Sequence, residues 1–167
     1  MQRIYIPHLS NDPGKTRIIE VNDYLSDLDT LTPVKGRIQI QHRGNFLDVA
    51  AQAETITTLT CHRCLQHYNA RLQVDTSEFI WLQEPQPEAY AEEVEVGFDE
   101  LIETLSPQGH FEPGKWLYEQ LCLAIPQRQL CDKACEGIVN PTARDDAETS
   151  TDQRWSALSA LKQQLSD

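Results

Sequence analysis

No stretch of this chain holds the roughly twenty consecutive apolar residues that a membrane-crossing helix needs. The first nine residues do not read as a secretory leader, because Arg3, Pro7 and His8 interrupt any apolar core. Both absences lead to the expectation of a cytoplasmic protein without membrane contact. Catalytic signatures are missing as well. The sequence has no P-loop, no G-x-S-x-G elbow, no H-E-x-x-H helix and no dinucleotide fingerprint. Its histidines, His8, His42, His62, His67 and His110, are scattered, with no neighbouring pattern that assigns one a role. Paired acids such as Glu92-Glu93 stand in a strongly acidic stretch, where solvation is expected in preference to acid–base work. The expectation is a non-enzyme with no small-molecule substrate.

Positive charge is absent from the middle of the chain. Residues 73–110 carry ten Asp and Glu and no Lys or Arg, whereas residues 1–72 carry eight basic and seven acidic residues. The whole chain has a formal net charge of −12. Coating a nucleic acid nonspecifically requires basic residues to neutralise phosphate, so that function is disfavoured. The acidic middle reads either as a solvated loop or as a surface for a basic protein partner.

What is present organises into alternating segments. Composition and length fit a globular protein with a real core, and no internal repeat is visible. Arg3 to Leu9 reads as extended. Leu25, Leu28 and Leu31 are spaced for one face of a short helix that Pro33 stops. From Val34 the period becomes two: Val34, Ile38 and Ile40 point one way, and Lys35, Arg37, Gln39, Gln41 and Arg43 the other. Gly44-Asn45 is a turn signal, and Leu47, Val49, Ala51 and Ala53 alternate beyond it, which predicts an antiparallel hairpin with one buried face. A third strand follows with Tyr68, Ala70, Leu72 and Val74 on one side, continuing through Phe79 to Leu82. Residues 83–97 read as an acidic surface loop, and Leu101 to Leu105 as a further short strand. Residues 114–125 form the principal helix, with Leu117, Leu121, Ala124 and Ile125 on one face, Pro113 near its start and Pro126 at its end. A polar linker, 140–151, leads to a C-terminal helix, 152–167, capped by Asp152 with a stripe of Trp155, Leu158 and Leu161. Strands early and helices late give an α+β fold: an antiparallel sheet with one principal helix in a core domain, 1–139, and a C-terminal helix on a linker.

Two short cysteine pairs carry the most specific chemistry. Cys61 and Cys64 form a C-x2-C pair, and Cys131 and Cys135 a C-x3-C pair. Both spacings fall in the range that supplies thiolates to one tetrahedral zinc. The odd total of five cysteines fits poorly with a secreted disulfide framework. Three readings fit the pairs: one structural Zn2+ held by Cys61, Cys64, Cys131 and Cys135; reduced thiols without metal; or a redox sensor using Cys61 and Cys64. His62 and His67 are alternative ligands, but each reads first as a surface histidine. Cys122 lies beside the apolar face of the helix and reads as a small core residue. A cationic group, Lys35, Arg37, Arg43, Arg63 and Arg71, reads either as a phosphate-contacting surface for RNA or as an ordinary polar outer face.

Four stretches carry a family resemblance: Ile4 to Leu9; Thr32-Pro33-Val34-Lys35-Gly36 on to His42-Arg43-Gly44-Asn45; Leu59-Thr60-Cys61-His62-Arg63-Cys64-Leu65; and Leu117 to Pro126 with Cys131 and Cys135 after it. Together they resemble the YceD family, the large ribosomal RNA subunit accumulation proteins. Gly114-Lys115-Trp116-Leu117 and the Trp-containing last segment resemble its cyanobacterial and plastid branch. The resemblance implies a non-catalytic role in accumulation or processing of large-subunit (23S) ribosomal RNA, with an rRNA precursor or a ribosomal protein as partner. Many relatives carry a further Cys-Pro-x-Cys pair, but here Gly137-Ile138-Val139-Asn140-Pro141 follows Cys135 and no cysteine does. A four-thiolate site must therefore recruit Cys61 and Cys64 across the fold.

Overall fold

The computed structural model describes residues 1–84 and 103–138. Strand β1 (Ile4–Tyr5) runs into a single helical turn, α1 (Ile6–Leu9), and a 3-10 turn at Pro13–Lys15 leads to β2 (Thr16–Asp23). Strands β3 (Val34–His42), β4 (Phe46–Thr60) and β5 (His67–Leu82) follow, then two short strands, β6 (Thr104–Leu105) and β7 (His110–Phe111), and helix α2 (Pro113–Leu123). The main sheet has the order β2-β3-β4-β5-β6. All its neighbours pair antiparallel except β6, which lies parallel to β5. A separate two-stranded ladder joins β1 to β7.

Alternation sets the two faces of the sheet. Val34, Ile38 and Ile40 on β3, Leu47, Val49, Ala51 and Ala53 on β4, and Leu72, Val74, Ile80 and Leu82 on β5 are buried. Ile6, Leu9, Phe111, Trp116, Leu117 and Leu121 close the same core. Burying Trp116, Leu117 and Leu121 of α2 contributes about 1.5–3 kcal/mol each. The helix is also tied to β5, where Glu78 accepts hydrogen bonds from Trp116 Nε1 (2.7 Å) and Gln120 Nε2 (3.1 Å). Gly36 is required where β3 meets β4: a Cβ there would stand 2.1 Å from the Gln52 carbonyl oxygen. Gly44, at φ +102°, makes the tight β3–β4 turn in the left-handed region that glycine tolerates.

The α+β architecture, the hairpin read from Val34 to Glu54 and the principal helix match what the sequence pattern predicts; the second strand of the hairpin runs on to Thr60. Two local expectations are corrected. Only Ile4–Tyr5 of the first segment is extended. Pro7 fits the first turn of a helix, and Ile6 and Leu9, three residues apart, are both fully buried by that turn. The helix expected on Leu25, Leu28 and Leu31 is instead a loop stitched to β4. Leu31 N–H donates to the Ile56 carbonyl (2.7 Å), Thr55 Oγ1 to the Thr32 carbonyl (2.8 Å), and Thr57 Oγ1 to the Asp29 carbonyl (2.8 Å). Local Asp and Ser side chains also offer the backbone alternatives to a helical ladder, as where Tyr24 N–H donates to Asp23. Leu25 and Leu28 still pack on the core, but Leu31 faces solvent. Strand β2 was not read from the sequence, although Thr16, Ile18, Ile19 and Val21 form a β-branched run. Apart from Gln83 and Glu84, the expected acidic loop lies outside the described residues, as do the 140–151 linker and the 152–167 helix.

Candidate metal centre at the end of the long hairpin

Strands β4 and β5 run together for fifteen paired positions, and their connection at the far end is Cys61 to Gln66. The connection is a tight turn: Leu65 N–H donates to the Cys61 carbonyl (3.0 Å), and Cys61 N–H to the Gln66 carbonyl (2.9 Å). Leu65 takes φ +60°, which is uncommon for a bulky residue. The turn brings Cys61, fully buried, and Cys64 to the same side.

The second pair arrives from the segment after α2. His62 N–H donates to the Gln129 carbonyl (2.8 Å), which docks that segment on the turn. The chain then folds on itself, with Asp132 accepting from the amides of Ala134 (2.7 Å, to its side chain) and Cys135 (3.1 Å, to its carbonyl). Arg63 Nη1 donates to the Cys135 carbonyl (2.8 Å) and fastens the two turns together. Gly137, at φ +88°, packs against the Arg63 carbonyl, where a Cβ would sit 3.4 Å away.

The result is a cluster of four sulfurs, Cys61, Cys64, Cys131 and Cys135, all within 4.8 Å of one another. Cys61 and Cys135 are 3.9 Å apart, and Cys64 and Cys131 3.7 Å. A disulfide requires about 2.05 Å, and all five cysteines are free. Four sulfurs about 2.3 Å from a central zinc lie about 3.8 Å from each other in a regular tetrahedron. The donor set therefore fits a closed tetrathiolate site. Amide hydrogen bonds support it in the manner of an outer coordination shell. The amides of Cys64 and Cys131, joined by that of Arg63, hold the Cys61 thiol down to about 6 against the opposing effect of burial. The Gly137 amide donates to the Cys135 sulfur. The neighbouring thiols of Cys135, Cys64 and Cys61 push Cys131 up to about 12.

The histidines considered as alternative ligands do not join this cluster. His62 Nδ1 accepts from the Gln129 amide, and His67 pairs with Thr60 Oγ1. Cys122 stays on α2, half-buried and outside the four-sulfur group.

The basic residues do not converge. Lys35, Arg37 and Arg71 lie on the outer face of the sheet among acids and amides. Arg37 donates to Gln52 (3.1 Å), Arg71 pairs with Glu54, and Lys35 stands opposite Glu54 in the ladder. The Arg71 hydrogen bond, followed by that from Gln73, holds the Glu54 carboxyl below its ordinary range. Arg43 sits just past β3 and faces Asp48 at 3.6 Å. Arg63 belongs to the cysteine cluster. One feature of the outer face escaped the sequence reading: Phe46, Phe79 and Trp81 meet there, with Phe46 centred 5.3 Å from Phe79 and 5.5 Å from Trp81. The alternation of Phe79 and Trp81 with buried Ile80 and Leu82 was the signal for it.

The family model described as "Large ribosomal RNA subunit accumulation protein YceD" matches residues 49–162, from within β4 through α2 and both cysteine pairs. The chain belongs to the YceD family. Strands β1 to β3 precede the matched region, while the four-sulfur cluster lies wholly within it. Neither the curated proteins nor the solved structures contain a match to the chain. The YceD description connects the family with the large ribosomal subunit and supports a role in ribosome biogenesis. Among the described residues, no helix is long and apolar enough to cross a membrane.

Proposed function

We propose that this protein is a non-catalytic, cytoplasmic ribosome-biogenesis factor that supports accumulation or processing of 23S ribosomal RNA by binding precursor RNA, a ribosomal protein or a precursor particle. The observation that carries this reading is the YceD match over residues 49–162. The structure adds a stable platform: a long hairpin tied at its tip to the segment after α2. Cys61, Cys64, Cys131 and Cys135 would hold one structural Zn2+ there, and the ion would act as a cross-link with no open position for substrate. Sulfur contacts run between the two pairs, Cys61 to Cys135 and Cys64 to Cys131, which favours a four-sulfur metal site over a disulfide switch confined to Cys61 and Cys64.

Gradient sedimentation of cell extract tests the function. The protein is expected to travel with large-subunit precursors, and its deletion to lower mature 23S rRNA. Sedimentation only with free protein, together with unchanged rRNA in the deletion strain, would overturn the reading.

A further inference from the structure

The four sulfurs of the cluster are not equally open to solvent. Cys61 is fully buried, Cys64 and Cys135 are half-buried, and Cys131 is exposed. Two sulfur contacts cross between the turns. Cys64 Sγ meets Cys131 Sγ at 3.7 Å on the exposed side, and Cys61 Sγ meets Cys135 Sγ at 3.9 Å on the partly covered side. Two thiols become a disulfide when an oxidant reaches one of them and the sulfurs can close to about 2.05 Å. Cys64 and Cys131 meet both conditions, because the exposed Cys131 side chain can turn toward Cys64 without displacing core atoms.

The backbone disfavours closure within either pair. Cys61 is out of reach of solvent, and its turn is fixed by hydrogen bonds from Cys61 N–H to the Gln66 carbonyl (2.9 Å) and from Leu65 N–H to the Cys61 carbonyl (3.0 Å). Cys135 is held through its carbonyl by Arg63 Nη1 (2.8 Å) and through its amide by the Asp132 carbonyl (3.1 Å). The segment that carries Cys131 already lies against the hairpin turn, where His62 N–H donates to the Gln129 carbonyl (2.8 Å).

We propose that Cys64 and Cys131 are a peroxide-reactive pair that closes into a disulfide between the two turns. One of the two thiols attacks hydrogen peroxide: an S–O bond forms, the O–O bond breaks and one water leaves, giving a sulfenic acid. The other thiol attacks that sulfur: the S–S bond forms, the S–O bond breaks and a second water leaves. Two electrons pass from the sulfurs to the peroxide, and both thiol protons depart in the waters. Closure withdraws two of the four sulfurs, so it excludes the zinc proposed above, yet it joins the same two turns. The hairpin tip and the segment after α2 thus stay cross-linked when the metal is lost, which a disulfide within either pair would not achieve. The pairing rests on the geometry of the cluster and is independent of the ribosomal role.

Peptide mapping of the full chain tests this. The protein is purified under reducing conditions, treated with about one equivalent of hydrogen peroxide, alkylated and digested with trypsin without reduction. Trypsin cuts after Arg63 and Lys133, which separates Cys61 from Cys64 and Cys131 from Cys135. Mass spectrometry is expected to find the peptide from Cys64 to Arg71 joined to that from Gln129 to Lys133, with Cys122 alkylated. Two of the five free thiols are expected to be consumed. On a non-reducing denaturing gel the oxidised chain is expected to run faster than the reduced one, because the bond closes the 66 residues between Cys64 and Cys131 into a loop. Cys131→Ser is expected to abolish both the linked peptide and the gel shift. A first disulfide within Cys61/Cys64 or Cys131/Cys135, a disulfide between chains, sulfinic acid without a disulfide, or five intact thiols would each overturn the proposal. Zinc measured on the same samples before oxidation separates this proposal from the metal reading. The Cys64–Cys131 link in a protein that never holds zinc would remove the zinc reading alone. One zinc per chain, followed on oxidation by a disulfide within a pair, would remove this one alone.

Discussion

Each of the four clustered cysteines has a different local environment. Cys61 is fully buried and held by amide hydrogen bonds, whereas Cys131 is exposed and crowded by the other three thiols. Cys131→Ser therefore removes one sulfur without opening a cavity in the core. It is expected to reduce bound zinc, measured by elemental analysis, from about one ion per chain to well below that, while the far-UV circular dichroism of the sheet is retained. Cys122→Ser, outside the cluster, is expected to leave the metal content unchanged. Equal zinc in the two variants would refute the four-cysteine assignment. Arg63 matters for a different reason from the one its charge suggested. The sequence reading grouped it with Lys35, Arg37, Arg43 and Arg71, but its guanidinium holds the Cys135 carbonyl and so joins the two cysteine turns.

Among the elements, the long β3–β4–β5 unit dominates. Its register depends on a close approach at Gly36, where even a methyl group would overlap the Gln52 carbonyl and the Cα of Ala53. Gly36→Val is expected to cost at least about 3 kcal/mol, seen as a lowered midpoint in urea, because the obstructing atoms are backbone and cannot rotate away. Gly44→Ala meets open space, and its cost, on the order of 1 kcal/mol, comes only from the positive φ. If the two variants were equally stable, the close approach of β3 and β4 would be wrong. The hairpin and α2 were legible because their periods are local: two along β3 and β4, and i, i+4 between Leu117 and Leu121. The loop at 24–33 was not, because its backbone groups find partners on β4, which a helical spacing of three leucines cannot reveal.

For the molecule as a whole, the cysteine cluster joins segments separated by 66 residues, from Cys64 to Cys131. A cross-link closing a loop of that size removes unfolded-state entropy worth about 4 kcal/mol in the chain-entropy model. Stripping the metal with a strong chelator under reducing conditions is therefore expected to lower the Tm by roughly 10 °C, and stoichiometric zinc to restore it. A Tm indifferent to both treatments would show that no ion cross-links the fold. The charge distribution acts at the same scale. The chain as a whole is strongly acidic, and Lys35, Arg37 and Arg71 sit on the outer sheet face beside Glu54 and Gln52.

By itself, the sequence determined the strand faces, the Gly44-Asn45 turn, the principal helix, both cysteine pairs and, through four motifs, the family. These follow from properties that neighbouring residues share: side-chain period, turn chemistry and short ligand spacing. Only the tertiary structure decided that Cys61 and Cys64 meet Cys131 and Cys135, that β1 pairs with β7, and that Phe46 joins Phe79 and Trp81. Each of these joins residues far apart in the chain. Such meetings depend on how long strands register and where a helix docks, and no local pattern encodes the sum of those contacts.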